Sequence, residues 1–229
     1  TFASADVVGC SFIRNGERIG GSYNDYQNGF GAAALYVNAA PTLVKGCRFT
    51  GNLAVTRTNN QTLGSTLTVE GASGGTVLEN CLFYGNSTYS AENGGGNTRG
   101  NIRLSLAAET DTVEIRNCTL TAGHALLTIG SEVAGGVRNI CIHDCRADGP
   151  VSRLVSIKTS DRKGAYIENV VVSNVVAEGV SSVVASLRAG KKGVDYQWGE
   201  YPARERIVTR IDGFRVENVR CENVGRIYD

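Results

Sequence analysis

His124 and Lys158 are the two residues of this sequence whose side chains are best suited to proton transfer. An imidazole and an amine act in active sites as acids, bases or anchors for a substrate carboxylate. The two residues are 34 positions apart, and Arg153 comes five positions before Lys158. Arg99 precedes His124 by 25 positions, and Glu132 follows it by eight. We predict catalytic roles for His124 and Lys158, and substrate-binding roles for Arg99, Arg153 and Glu132.

A cationic groove is the arrangement that these spacings favour. If the chain repeats every ~25–40 residues, Arg99, His124 and Lys158 fall on successive repeats and lie along one edge. Guanidinium groups bind carboxylates bidentately, so such a groove suits an acidic sugar chain. The alternative is a solvated basic edge whose charges pair with nearby carboxylates, those of Glu92, Glu109, Glu132 and Asp161.

Cys141, His143 and Cys145 come nearest to a metal-binding cluster. Their spacing alternates, and in a strand this alternation directs all three side chains along one face. Zinc sites instead need ligands that converge on one point. The sequence therefore predicts no metal and no cofactor.

Length and composition are those of one domain rich in strands. The chain has 229 residues, 41% of them hydrophobic, and 23 basic against 22 acidic residues give a net charge of +1. This balance gives no general attraction to nucleic acid or to acidic membranes, and no apolar run reaches the ~18 residues of a membrane span. Gly is abundant (29), Pro is rare (3) and Met is absent, which favours short strands joined by tight corners. We expect a single domain over residues 1–229.

One pattern recurs seven times along the chain: an apolar alternation, then Gly, Asn or Asp, then Cys or Val, then a second short alternation. The Cys or Val of each repeat is Cys10, Cys47, Cys81, Cys118, Cys145, Val175 and Val219. These positions are 37, 34, 37, 27, 30 and 44 residues apart. Each repeat holds period-2 segments, and sustained helical periodicity is almost absent. The unequal spacing suits a wound ribbon with outward loops better than a propeller with closed symmetry.

These repeats predict an all-β fold, a right-handed single-stranded parallel β-helix with about seven or eight coils. The five repeat cysteines then form one internal column of small thiols that Val175 and Val219 continue, because a free Cys in a core behaves as a small hydrophobe. The odd total of seven cysteines argues against a disulfide scaffold. We predict turn-forming or stacked asparagines beside the strands, namely Asn15, Asn52, Asn80, Asn86, Asn117, Asn139, Asn169, Asn174 and Asn218.

The two halves of the chain differ in texture. Residues 1–98 contain the polar stretches Gly20–Gly31, Thr56–Gly64 and Ser87–Gly100, which we expect to be loops that leave the coils. The repeats of this half resemble those of secreted and surface β-helix proteins, including polymorphic outer-membrane adhesins. Residues 113–228 have fewer such stretches.

Four segments of the second half resemble, in order and spacing, the polygalacturonases of glycoside hydrolase family 28. They are GHALLTIGSE (residues 123–132), GGVRNICIHDC (135–145), RLVSIKT (153–159) and KGAYIENVVVSNV (163–175). The family has a Gly-His-Gly turn that leads into an Ile-Gly-Ser strand, and an Arg-Ile-Lys strand on the next coil. The likeness begins near Val113 and covers about half of the chain.

The resemblance implies inverting hydrolysis of galacturonan, for which two carboxyl groups flank the scissile bond. It places Arg99 and Gly100 where the family has its Asp-Asp pair, Ser156 at the Arg of Arg-Ile-Lys, and Ala125 at the second Gly of the turn. It retains the histidine as His124 and the lysine as Lys158. Our expectation is a secreted or surface polygalacturonase-like protein that binds an acidic, pectin-type polysaccharide and hydrolyses its glycosidic bonds.

Three other functions stay open at this point. The Arg99–Gly100 replacement favours a catalytically inactive polysaccharide-binding β-helix. The adhesin-like first half favours a surface adhesin or a phage-spike segment. A polysaccharide lyase is a further alternative, because the neighbouring Arg153 disfavours the charged amine of Lys158 and so helps it to act as a base.

Overall fold

The computed structural model describes residues 4–15, 32–38, 41–56, 65–70, 75–90, 95–97, 102–105, 112–121, 123–129, 136–148, 151–159, 165–188 and 208–228. All regular structure in these ranges is β-strand, as the sequence predicted. Within these ranges, no helix is long and apolar enough to cross a membrane.

Twenty-two strands are present in these ranges, and most are short. They are β1 (Ala5–Val8), β2 (Ser11–Ile13), β3 (Ala32–Asn38), β4 (Thr42–Lys45), β5 (Arg48–Thr50), β6 (Leu53–Thr56), β7 (Ser65–Glu70), β8 (Thr76–Glu79), β9 (Leu82–Tyr84), β10 (Ser87–Ser90), β11 (Gly95–Asn97), β12 (Ile102–Ser105), β13 (Val113–Arg116), β14 (Thr119–Leu120), β15 (Gly123–Ile129), β16 (Val137–His143), β17 (Arg146–Ala147), β18 (Val151–Lys158), β19 (Tyr166–Glu178), β20 (Ser182–Arg188), β21 (Arg210–Glu222) and β22 (Arg226–Tyr228).

Twelve of these strands form one parallel sheet, and its order follows the sequence repeats. Five pairs of short strands, β1/β2, β4/β5, β8/β9, β13/β14 and β16/β17, begin successive repeats, and β19 and β21 each fuse such a pair into one strand of 13 residues. We call these seven repeats units 1–7. Each strand pairs in parallel with the equivalent strand of the next unit, so equivalent residues stack in columns.

A left-handed residue separates the two short strands of every unit. It is Gly9, Gly46, Asn80, Asn117, Asp144, Asn174 and Asn218, with φ between 51° and 64°. Gly, Asn and Asp adopt this conformation most easily. The corner turns the chain at the same height in each unit, and the predicted turn-forming role of the asparagines is confirmed at four of these seven corners and at Asn139 and Asn169.

The residue after each corner points into the interior, and the predicted thiol column is confirmed. Cys47, Cys81, Cys118 and Cys145 are 0–7% exposed, Cys10 is half-buried, and all are free thiols. From Cys47 onward, each Sγ donates to a carbonyl oxygen of the preceding unit, at 3.4–3.7 Å. Burial raises the pKa of the Cys47 thiol, so the protonated thiol acts as a donor. Val175, fully buried, continues the column.

Units 1–3 add a ring stack and an amide ladder to this interior. Phe12, Phe49 and Phe83 stack nearly parallel, with centroids 4.9 and 4.7 Å apart. Beside them, Asn15 donates from its backbone and side chain to Asn52 Oδ1, and Asn52 donates in the same way to Asn86 Oδ1. The predicted stacking of these asparagines is confirmed.

Three smaller sheets lie outside the twelve-stranded one: β3–β7–β12, β6–β10–β11 and β15–β18–β20–β22. The expectation that Ser87–Gly100 is a loop is wrong for seven of its residues. β10 pairs in parallel with β6, and β11 turns back to pair antiparallel with β10, because these polar segments obtain their hydrogen bonds from a neighbouring strand. Gly20–Gly31 lies outside the described residues, as does Thr56–Gly64 except for Thr56, which ends β6.

Candidate functional site

The four-stranded sheet β15–β18–β20–β22 carries charges of one sign. Its strand residues include five basic ones, His124, Arg153, Lys158, Arg188 and Arg226, and no Asp or Glu. We call this sheet the basic sheet. Its interior is apolar and tightly buried, with Val151, Leu154, Val155 and Ile157 at most 1% exposed. The sheet is therefore held by its core while it concentrates positive charge.

The register sets which basic residues lie together. Arg153 pairs with Ala125 on one side and with Ser182 on the other, and Ser182 pairs with Arg226. Arg153 and Arg226 thus share a column, two strands apart, which is about 10 Å at ordinary strand spacing. Lys158 pairs directly with Arg188 on the neighbouring strand. Two columns of the sheet therefore each hold two cationic residues.

The expectation that His124 and Lys158 lie one above the other is wrong. β15 and β18 are paired with an offset of 28 residues, as in Ala125 with Arg153 and Ile129 with Ile157. His124 therefore lies near the start of its strand and Lys158 at the end of the next, six positions farther along, or about 20 Å. The 34-residue separation exceeds the local repeat, and Arg153 is the cation whose position comes close to His124.

The remaining predicted positions divide into two groups. Arg99 and Glu132 lie outside the described residues, and the structure describes only the backbone of His124 and Lys158. Ser156, which stands at the Arg of the Arg-Ile-Lys resemblance, is 1% exposed and pairs with Thr128 and Ala185. An arginine at this position would have to enter the core.

A second charged surface, on the twelve-stranded sheet, was missed by the sequence reasoning. Lys45, Glu79, Arg116 and His143 occupy one column on units 2–5. Glu79 Oε2 lies 3.3 Å from Lys45 Nζ and 3.1 Å from an Arg116 nitrogen. We call this the paired column. The signal was available, because each member lies two residues before a repeat cysteine.

His143 ends the paired column between two carboxylates. Its Nδ1 is 2.6 Å from Asp144 Oδ2, and its Nε2 is 3.0 Å from Glu114 Oε1, which Arg116 also contacts at 2.8 Å. The hydrogen bonds to Asp144 and Glu114 raise the pKa of His143. The same contacts lower the pKa values of Glu114 and Asp144, and Arg116 with Lys45 lowers that of Glu79. The charged forms therefore hold one another.

The three residues Cys141, His143 and Cys145 do not share a face, contrary to the sequence expectation. The left-handed corner at Asp144 breaks the alternation, so Cys145 is 4% exposed in the core column while His143 faces the two carboxylates outside. No group of three or more His, Cys, Asp or Glu in the described ranges is arranged to hold a metal.

The two surfaces differ in what they offer chemically. The paired column satisfies its own charges, whereas the strands of the basic sheet supply cations and no carboxylate. A face of this kind can attract a polyanion and orient its carboxylates. Comparison of the sequence with models of known families and with curated proteins found no match.

Proposed function

We propose that units 1–7 are the coils of a right-handed single-stranded parallel β-helix, and that the protein binds an acidic, pectin-type polysaccharide outside the cell. The basic sheet is the proposed binding surface. The observation that carries the proposal is the single sign of its charge: five basic residues on four adjacent strands, with no strand carboxylate to neutralise them.

Charge alternation along the polymer explains why this arrangement favours a uronate chain. Such a chain presents a carboxylate on every sugar, and a rigid sheet presents cationic positions at fixed strand spacings. Arg153 and Arg226 in one column, and Lys158 beside Arg188 in another, contact several sugars at once. Arginine forks bind carboxylates bidentately, while Lys158 acts as a point charge.

Retention on immobilised polygalacturonate tests this proposal. We expect the wild-type chain to be retained at low salt and released as salt rises, because contacts between exposed charges are screened. Lys158→Ala should elute at clearly lower salt. Lys45→Ala is the matched control, because it removes the same charge from the paired column and should elute with the wild type.

The polymer provides a second control. Methyl-esterified pectin has the same backbone without the carboxylate charge, so it should not retain the protein. Equal retention of Lys158→Ala and wild type, or equal binding to the esterified polymer, would refute the proposed site. Equal retention on any polyanion of the same charge density would show that the surface does not select uronates.

Hydrolysis is the second candidate function, favoured by the resemblance of residues 123–159 to polygalacturonases. In that interpretation His124 on β15 orients the substrate or a catalytic carboxylate, and Arg153 and Lys158 hold the sugar carboxylate. The assay is release of reducing ends from polygalacturonate between acidic and neutral pH, compared with His124→Ala. Ultraviolet absorbance of unsaturated products would identify a lyase instead. Without either product, the protein is a binding protein only.

A further inference from the structure

The twelve-stranded sheet has an open edge at each end. β21 pairs only with β19, and β1 and β2 pair only with β4 and β5, among the strands that the structure describes. The interior positions of unit 6, such as Val170, Val172 and Val175, are fully buried. Their partners on unit 7, among them Phe214, Val216 and Val219, are only half-buried. The end units therefore leave core surface uncovered.

Unit 1 has the same character at the opposite end. Ala5, Val7, Cys10 and Phe12 are half-buried, whereas Val44, Cys47 and Phe49 of unit 2 are fully buried. The seven-membered columns run without interruption from one end to the other: the column of Asp6 passes through Leu43, Val77, Glu114, Cys141 and Val171 to Arg215. The two edges are thus the first and last members of the same columns.

We propose that the chain associates with itself head to tail, with unit 1 of one copy stacked on unit 7 of another. The contact is heterologous, so each copy keeps one free edge of each kind and the assembly grows as an open filament. This inference does not depend on polysaccharide binding.

The hydrogen bonds between units define the junction. The corner residue of one unit donates its N–H to the next unit, as Gly9 does to the Lys45 carbonyl and Gly46 to the Glu79 carbonyl. By the same rule, the Asn218 N–H donates to the Val8 carbonyl of the added copy. In the other direction, Arg48 N–H donates to the Cys10 carbonyl, so Ser11 N–H of the added copy donates to the Val219 carbonyl.

The side chains of the two edges are complementary in these columns. Arg215 is exposed on unit 7, and the residue in its column on unit 1 is the exposed carboxylate Asp6. Inside, Cys221 would cover the open face of Phe12, where sulfur packs favourably on an aromatic ring. The large Phe214 meets the small Ala5. The columns that end in Glu217, Arg220 and Glu222 meet the uncharged Val8, Ser11 and Ile13, so no like charges face each other.

Two proline variants test the junction, one at each edge. The N–H of Ser11 points to the open edge, as shown above. Ala5 and Gly9 donate to unit 2, so Val7 between them points the same way, and Val216 in its column points to the other open edge. Ser11→Pro and Val216→Pro therefore block one edge each without removing a bond within the chain, because edge strands tolerate proline.

Sedimentation equilibrium from about 1 µM to about 1 mM gives the readout, a range that spans weak to moderate self-association. We expect the average mass of the wild type to rise with concentration, and each variant alone to stay monomeric. An equimolar mixture should form dimers and nothing larger, because each variant keeps the edge that the other lacks. This complementation also shows that both variants are folded.

Hydrogen exchange of the wild type supplies an independent measurement. The Asn218 amide should become more protected as concentration rises. The proposal is overturned if the wild type is monomeric throughout, if either variant alone forms dimers, or if the Asn218 amide is equally protected at all concentrations, since a segment of the same chain then covers the edge. Lys158→Ala should leave the assembly unchanged.

Discussion

The basic sheet and the paired column are built by the same repeat and treat charge in opposite ways. In the paired column, parallel stacking brings Lys45, Glu79 and Arg116 to contact distance, and each charge finds an opposite neighbour. In the basic sheet, the same stacking places Lys158 beside Arg188 and Arg153 in the column of Arg226. Stacking multiplies whatever charge the sequence repeats. One surface thereby becomes internally neutral, and the other attracts an external polyanion.

Charge reversal on the basic sheet should have the largest effect on binding. For the double variant Arg153→Glu with Lys158→Glu, we expect the affinity for polygalacturonate to fall about 100-fold or more, because two charge-assisted contacts become repulsive. Fluorescence anisotropy with a labelled oligogalacturonate measures this change. The control reverses Lys45 and Arg48 on the twelve-stranded sheet, which alters net charge equally. An equal loss in the control would mean that only net charge matters.

Removal of one acid from the paired column should make it behave more like the basic sheet. Glu79→Gln leaves Lys45 and Arg116 without their shared carboxylate. We expect the melting temperature to fall by roughly 1–3 °C, within the range for exposed ion pairs in a chain of this length. We also expect a modest gain in retention on polygalacturonate. If retention falls, the proposed distinction between the two surfaces is wrong.

The pH dependence of stability distinguishes the paired column from the basic sheet through His143. Its carboxylate neighbours raise its pKa above the ordinary 6.5, so the native state binds the proton more tightly than the unfolded chain. The resulting stabilisation is complete below pH 6.5 and is lost as pH rises through the raised pKa. His143→Gln should therefore destabilise the protein at pH 5.5 more than at pH 9 in urea unfolding. A constant difference would contradict this assignment.

The smallest effect is expected in the thiol column, which supports the paired column from inside. Cys81→Val introduces the residue that occupies the same column at position 175. It removes two weak thiol hydrogen bonds, to the carbonyls of Val44 and Glu79, and preserves an apolar side chain of similar size. We expect a change below about 1 kcal/mol in the free energy of unfolding. A loss of several kcal/mol would show that the thiol donors are essential.

Much of the interior was predictable because it repeats. Cys47, Cys81, Cys118 and Cys145 follow a Gly, Asn or Asp at each unit, and this local pair encodes both the left-handed corner and the inward side chain. The stacked asparagines Asn15, Asn52 and Asn86 were predicted on the same ground. The metal-like spacing at Cys141 was misinterpreted, since alternation along a strand does not survive a left-handed residue at Asp144.

The candidate site was predicted less well. His124 and Lys158 were expected in one column from their separation in sequence, but strand offsets in this sheet are 28 residues between β15 and β18 and 29–30 between β18 and β20. A difference of six residues moves a side chain about 20 Å along a strand. The paired column was missed because its members differ in type and only their position relative to the cysteines is constant.

The sequence by itself determined the strand-rich repeat, the corner residues and the apolar and thiol positions of the interior. Each of these depends on the conformational preference of one residue or on the alternation of its immediate neighbours. Only the tertiary structure decided which charged residues meet across strands, because the register between units depends on the number of residues that each unit places in its loops. A single added residue moves every later contact by one position, and the local pattern carries no record of that sum.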